Sequence, residues 1–274
     1  MRMNTMISRG ENSPLDDIEF LARSDHRVTA LDALATRPQS RTDLRELTGV
    51  SRSTVGRTLR EFEARRWIRR EGHQYEATQL GGFVASGLRE LIDRLETERK
   101  LRDVWQWLPV EASGFSIEMG SDAVVTAART DDPYRPVNRF ASLLRETDRF
   151  RFVGFDRGLL EPCKDELARQ IVDGMRTEII DPPRAARHIL STYPEHCSEP
   201  LESENLAVRV HDDVPPYGIA LFDQRIGISG HNPDSGTVRA LIDTDAPETR
   251  EWAESTYDTY RRNSRPLVPE PTAE

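Results

Sequence analysis

Lysine is almost missing from this chain. Only Lys100 and Lys164 occur, against 36 arginines. Acid outnumbers base, 47 to 38, so the net charge is −9 and the whole molecule is not a polycation. Cysteine is nearly absent too. Cys163 and Cys197 form no CxxC pair, which excludes a disulfide framework and a zinc site built on paired cysteines, and fits a reducing cytoplasm. No apolar run approaches the roughly 18–20 residues that span a bilayer, and the first residues hold no apolar core of the signal-peptide kind. A cytoplasmic protein without a membrane partner is expected. Internal repeats and low-complexity tracts are also lacking.

What is present is unevenly placed. At roughly 100–200 residues per domain, 274 residues suggest two domains. Residues 20–82 carry twelve arginines against eight acids, whereas residues 83–274 carry 24 basic and 35 acidic residues. A basic module is joined to an acidic body, which points to a nucleic-acid contact confined to the N-terminal part.

Residues 1–13 read as a disordered lead, and Asp16 to Ala22 as a short helix with Ile18 and Leu21 inward. Ser24 can cap a second helix with Val28, Leu31 and Leu34 on one face, ended by Pro38. Ser40 caps a third, with Leu44 and Leu47 inward, and Gly49 supplies the left-handed residue that ends it. Ser51 caps a fourth, with Val55, Leu59 and Phe62 on its apolar face. Trp67–Arg70 and Gln74–Thr78 then read as a hairpin around Gly72. Helix, helix, tight turn, helix, hairpin is the order of a winged helix-turn-helix.

A recognition helix lays its N-terminal half in the major groove of double-stranded DNA. It needs short polar side chains where its backbone nears phosphate and long donors that reach base edges. Ser51, Arg52, Ser53 and Thr54 occupy the first turn here, and Arg57, Thr58 and Arg60 follow on the expected exposed face. Arg41 on the preceding helix, and Arg69, Arg70, His73 and Gln74 on the wing, complete the expected DNA-binding set. Glu61 and Glu63 are expected to pair with neighbouring arginines.

From Gln79 to about Trp107 the pattern is helical, with Val84, Leu88, Leu91 and Leu95 forming a short stripe. The stripe suits a dimer seam or a helix packed on its own domain. Beyond Pro109, strand-like and helix-like runs alternate, as in an α/β domain with antiparallel members. Residues after Pro266 read as a disordered tail. The expected fold is α+β: a winged helix-turn-helix over 14–80, a linker helix over 81–108 and an α/β effector domain over 109–266.

Catalytic and metal signatures are thin in the body. His188 and His196 stand eight residues apart without a third ligand, and His211-Asp212-Asp213 reads as a solvated acidic turn. Cys163, after Pro162 at the start of an amphipathic helix, reads as a packed side chain, Cys197 is followed by an acidic stretch, and no His-x-Lys pair occurs. No enzyme, metal or cofactor is expected. Ligand binding remains, and α/β sheets bind small molecules beyond the carboxyl ends of their strands. Asp156, Arg157, His211, Arg225 and His231 are the expected ligand-binding residues: arginines for a phosphate or carboxylate, Asp156 and His231 for hydroxyls.

Residues 41–85, from RTDLRELTGVSRSTVGRTLREFEARRWIRR onward, resemble the winged helix-turn-helix of archaeal regulators of the ArsR, MarR and TrmB-like kind. Residues 214–267 carry Pro216-Tyr217-Gly218, the Phe222-Asp223-Gln224-Arg225 turn and Trp252-Ala253-Glu254 followed by Tyr257. This stretch resembles the effector domain of methanogenesis-regulator-like archaeal proteins. The scarcity of lysine amid acid is similar to the composition of proteins from salt-loving archaea. Together the resemblances imply a homodimeric transcriptional regulator that responds to a small-molecule effector; the alternative is a DNA-binding regulator whose C-terminal domain serves only dimerisation or protein recruitment. In molar salt, phosphate contacts lose much of their counterion-release advantage, so base contacts and dimerisation would carry more of the affinity.

Overall fold

The computed structural model describes residues 13–108, 114–154, 157–232 and 234–267. Of the expected disordered lead over residues 1–13 and tail after Pro266, only Ser13 and Leu267 are described, and both are held: Ser13 accepts the Leu15 amide, and the Leu267 N–H donates to the Val208 carbonyl at 2.9 Å; the rest lie outside the described residues, as does Asp156. The chain divides into two units, residues 1–93 and 94–274.

The first unit begins with α1 (Pro14–Ala22), α2 (Asp25–Thr36), the two-residue β1 (Gln39–Ser40) and α3 (Arg41–Thr48). It continues with α4 (Arg52–Ala64), β2 (Ile68–Glu71), β3 (Gln74–Ala77) and the start of α5 (Gln79–Leu101). Its punctuation is local. Ser40 and Asp43 form a reciprocal capping box at the head of α3. Gly49 closes α3 at φ 68°, which a side chain would resist. Ser51 accepts from the Thr54 amide at 3.2 Å and starts α4. β1, β3 and β2 make a three-stranded antiparallel sheet in that order. Leu31, Leu34, Leu44, Val55, Leu59 and Phe62 form the core, with Trp67, Ile68 and Tyr75 from the hairpin. This is a winged helix-turn-helix, as the order of turns and helices implied.

Three expectations about which face is inward need correction. Ile18 is 46 % exposed, so of the expected inward pair α1 buries only Leu21. Leu47 is 54 % exposed, since α3 buries Leu44 and turns Leu47 outward. The stripe on α5 splits: Val84 and Leu88 pack on the core, while Leu91 and Leu95 remain exposed. Ser24 takes the N-cap position of α2, but its hydroxyl makes no capping bond. The linker helix ends at Leu101, and a 3₁₀ turn over Trp105–Trp107 replaces its expected last turns.

The second unit is built on an eight-stranded sheet. Its elements are β4 (Val124–Ala127), α6 (Arg135–Arg145), β5 (Arg149–Val153), α7 (Arg157–Leu160), α8 (Lys164–Val172), β6 (Arg176–Asp181) and α9 (Pro183–Thr192). α10 (Pro194–Glu202), β7 (Leu206–Val210), β8 (Gly218–Leu221), β9 (Ile226–His231), β10 (Val238–Thr244), α11 (Pro247–Asn263) and β11 (Arg265–Pro266) follow. The spatial order is β11-β7-β6-β5-β8-β9-β10-β4. β5, β6 and β7 are parallel, joined through α7–α8 and α9–α10, whereas β8, β9, β10 and β4 alternate in direction.

Alternate residues explain why the central strands read as unbroken apolar runs. Ile219, Leu221, Ile228, Ala240 and Ile242 face a core closed by Trp252, Ala253 and Tyr257 of α11. Phe150, Phe152, Ala220 and Leu241 face the other core, closed by Phe140 and Leu144 of α6 and by Leu159. A sheet covered on both faces cannot show the polar alternation of a half-wet one.

One charge is fully enclosed. Asp243 is 0 % exposed and accepts both a two-point contact from Arg139 (2.7 and 2.9 Å) and the Arg225 Nε–H at 2.6 Å. Removing one member of a buried ion pair leaves its partners uncompensated. Asp243→Ala is expected to cost about 3 kcal/mol in urea unfolding, the low end of the range because both arginines keep some solvent contact.

Candidate nucleic-acid interface and ligand cleft

The outer surface of the first unit is arranged around α4. The N-cap Ser51 hydroxyl lies 2.8 Å from the Ser53 hydroxyl and 2.9 Å from that of Thr54, so one cap gathers three short polar side chains. Ser51, Arg52, Ser53, Arg57 and Arg60 are exposed, and the first turn holds no acid. Among the described residues, Arg52, Arg57 and Arg60 enter no ion pair. By contrast Arg65, the C-cap of α4, is taken up by Asp17 (2.9 Å) and Glu61 (2.8 Å). The expected pairing of Glu61 with a neighbouring arginine is thus with Arg65.

Thr58 does not share the exposed face. It is 5 % exposed, and its hydroxyl lies 3.2 Å from His26 Nε2, so α4 turns it against α2 rather than toward a groove. His26 itself has its pKa lowered, first by burial and then by Arg27 and Arg57.

The hairpin carries the wing. Gly72 and His73 form a two-residue turn between Glu71 and Gln74, with positive φ at Gly72. His73 and Gln74 are exposed at the tip. Arg69 is drawn into its own sheet: it pairs with Glu76 at 2.6 Å and Glu71 at 3.5 Å, and its charge is locally balanced. Arg70 donates to the Gly72 carbonyl at 2.9 Å and lies 5.7 Å from the ring centroid of Tyr75. Arg41, at the head of α3, donates its Nε–H to Tyr75 Oη at 3.0 Å and also stands over that ring. Tyr75, buried to 2 % exposure, therefore positions two arginines from different elements. Sequence reasoning overlooked it; its inward place in the alternation of β3 was the available signal.

In the second unit, strand directions decide which predicted residues can meet. β9 is antiparallel to β8, and β8 to β5, so the carboxyl ends of β5, β6, β7, β9 and β4 share one edge. His231 ends β9 on that edge. Arg225 stands in the β8–β9 turn, on the opposite edge, where Asp223 binds the Asp148 amide at the start of β5. With its Nε–H on Asp243, Arg225 is a structural cation and not a ligand donor beside His231. His211 follows β7, four strand spacings from β9, or about 19 Å at ~4.8 Å each. It accepts the Asp213 amide at 3.1 Å and packs edge-on against Tyr260. The expected five-residue site is therefore not one site. Arg157 begins α7, and Asp156 lies outside the described residues.

Around His231 there is a cleft of about 950 Å³. Tyr134, Glu161, Lys164, Tyr193, His231 and Arg239 give it its chemistry. His231 Nδ1 is buried without a hydrogen-bond partner, and burial lowers the imidazole pKa. Gly158 lets α7 approach the 235–237 turn that forms one wall: a Cβ there would sit 2.6 Å from the Gly236 carbonyl. Among the described residues no group of three or more His, Cys, Asp or Glu side chains is placed to hold a metal. No described helix is long and apolar enough to cross a membrane.

Residues 133–263 match the family model described as the methanogenesis regulatory protein FilR1, middle domain, and residues 15–100 match the HVO_A0261 N-terminal domain. These matches bear out the resemblance read from the sequence. No curated protein matches the chain. Among solved structures, the archaeal chromatin protein TrmBL2 is similar at 12 % identity, with 93 % of this chain and 100 % of that one covered and a TM-score of 0.42. An IclR-family transcriptional regulator from Rhodococcus sp. follows at 16 % identity, 93 % and 97 % coverage and TM-score 0.22. The dimethyltransferase RosA from Streptomyces davawensis gives 18 % identity, 73 % and 65 % coverage and TM-score 0.23. At such scores the three likenesses are carried no further.

His26 yields a pH dependence. Its pKa is depressed in the fold, so the unfolded chain binds the proton more readily, and stability must rise with pH across that window. The contribution is complete above the unfolded value of about 6.5 and is lost as pH falls toward the folded one. His26→Gln is expected to flatten the pH dependence of melting temperature between about pH 5 and 6.5, read by circular dichroism.

Proposed function

We propose that this chain, whose parts match the HVO_A0261 N-terminal domain and the FilR1 middle domain, is a sequence-specific DNA-binding transcriptional regulator. The observation that carries the reading is the outer face of α4. In a chain with more acid than base, three arginines on one exposed helix face enter no ion pair among the described residues and stand beside a cap of short hydroxyls. Ser51, Ser53 and Thr54 suit phosphate, while Arg52 and Arg57 have the reach and fork geometry for guanine O6 and N7. Arg60 and Arg41 flank them. Arg70, His73 and Gln74 are the wing's donors to the backbone or minor groove. Arg69, already paired, contributes less, and Thr58 supports α4 from within.

Two copies reading a palindrome would place their α4 helices one DNA turn apart, about 34–36 Å, or a multiple of it. The exposed Leu91 and Leu95 on α5 and the surface of the body are the candidate dimer surfaces. The second unit serves as a sensor, not an enzyme, with the His231 cleft as its effector site. A ligand there changes DNA occupancy only by its differential affinity for the two arrangements of the dimer.

The double variant Arg52→Ala/Arg57→Ala is expected to abolish specific retardation of genomic operator fragments while far-UV circular dichroism stays unchanged. Unaltered specific binding would overturn the assignment of α4. Arg70→Ala is expected to weaken binding about equally on all sequences and to reduce the slope of log affinity against log salt by about 0.9, the signature of one lost phosphate contact.

A further inference from the structure

We propose that Arg27 of α2 binds a phosphate of the DNA backbone in a pocket bordered by Arg57, on the flank of α4. The inference rests on the DNA-binding reading above and adds a contact from a helix to which none was given. A cavity of about 340 Å³ lies in the first unit between α1, α2 and α4. Four arginines line it: Arg23, Arg27, Arg57 and Arg65. Asp16, Glu19 and Glu61 line it too, and each is engaged. Glu19 pairs with Arg23 at 2.6 Å and Glu61 with Arg65 at 2.8 Å, while Asp16 caps α1 by accepting the Ser13 N–H at 2.8 Å. Among the described residues, Arg27 and Arg57 enter no ion pair.

Arg27 is fixed in place but left without a counter-charge. It donates from Nη1 to the Phe20 carbonyl at 2.5 Å, and its guanidinium lies 4.2 Å from the centroid of the Phe20 ring. Its Nε is enclosed with no hydrogen-bond partner. Burial, then Arg23 and Arg57, and to a lesser degree Arg65, lower its pKa, with Glu61 opposing. An anion beside Arg27 relieves that crowding of like charge. The place of the pocket decides which anion. Arg57, Glu61 and Arg65 follow one another every fourth residue along one flank of α4, and α2 meets α4 through the 3.2 Å contact of His26 with Thr58. The DNA major groove is about 12 Å wide, and a helix with its side chains is about 10–12 Å across. A helix lying in the groove therefore fills it, and its flanks face the phosphates on the walls. The planar fork of an arginine matches a phosphate. With a phosphate on Arg27, Arg57 loses a repelling neighbour and keeps its own fork for a base edge.

Fluorescence anisotropy of the full chain with two labelled duplexes tests the contact, one a specifically retained genomic fragment and the other unrelated. Arg27→Met, which keeps an apolar cover over Phe20, is expected to lower the slope of log affinity against log salt by about 0.9 on both duplexes. The same relation makes its binding about eightfold weaker at about 0.1 M salt. Arg27→Lys, which keeps the charge, is expected to keep the slope. An unchanged slope in Arg27→Met, a loss confined to the genomic fragment, or an equal loss in Arg27→Lys overturns the proposal. Phosphorus NMR with inorganic phosphate needs no DNA. Its line is expected to broaden with the wild-type chain and to broaden less with Arg27→Met. Broadening that depends on Arg27, with neither duplex bound by the wild-type chain, upholds the phosphate pocket and overturns the DNA reading. Duplex binding and broadening that both ignore Arg27 overturn the pocket and leave the DNA reading standing.

Discussion

A cation can meet a phosphate only if an acid has not reached it first. In a chain carrying 47 acids and 38 bases, this competition engages a good part of the arginines. Arg65 goes to Asp17 and Glu61, Arg69 to Glu76, Arg139 and Arg225 to Asp243, and Arg261 to Glu178. These pairs consolidate helices and sheet edges and leave little field outside. Arg52, Arg57 and Arg60 stay out of such pairs on one exposed face: the first turn of α4 holds no acid, and Glu61, one turn beyond Arg57, is bound to Arg65. Exposed pairs contribute little stability, about 0–1 kcal/mol each, so the cost of leaving these arginines unpaired is small. The potential they keep at one face is the larger effect.

Much of the first unit was legible because its signals are short-range. A capping serine, a left-handed glycine and an apolar triplet are decided within one turn of chain, and Ser40, Gly49, Ser51, Val55, Leu59 and Phe62 behave as their spacing implied. The misreadings came where a third element decides. Leu47, Leu91 and Leu95 continue an apolar period, but periodicity alone cannot tell which part of a stripe a neighbour covers. Thr58 sits on the polar side of the pattern, yet α2 arrives there with His26.

In the second unit, the strands were legible and their directions were not. Placing ligand residues at strand ends assumes that every end points the same way. The β8–β9 hairpin reverses the chain, which carries Arg225 to the amino edge and leaves His231 on the carboxyl edge. β4, α6 and α10 escaped the sequence reading. α6 matters most among them, since Phe140 and Leu144 close one face of the sheet. Lys164 was conspicuous as a rare residue, but its place on the His231 cleft, beside Tyr193, is a property of α8 and α9 together.

Tyr75 connects these themes. Its ring is buried, its hydroxyl holds Arg41, and Arg70 stands near the same ring from the wing. An arginine on the surface carries about 2 kcal/mol of rotamer entropy, part of which binding must remove. Holding the Nε–H of Arg41 on Tyr75, and that of Arg70 on the Gly72 carbonyl, fixes both stems in advance while both residues stay exposed. Where salt is high and counterion release yields little, affinity depends more on such preorganised geometry than on net charge. Arginines fixed in this way offer geometry rather than net charge in a chain whose net charge is −9. A lysine-rich surface, with flexible stems and strongly hydrated heads, would have relied on the electrostatic advantage that salt removes.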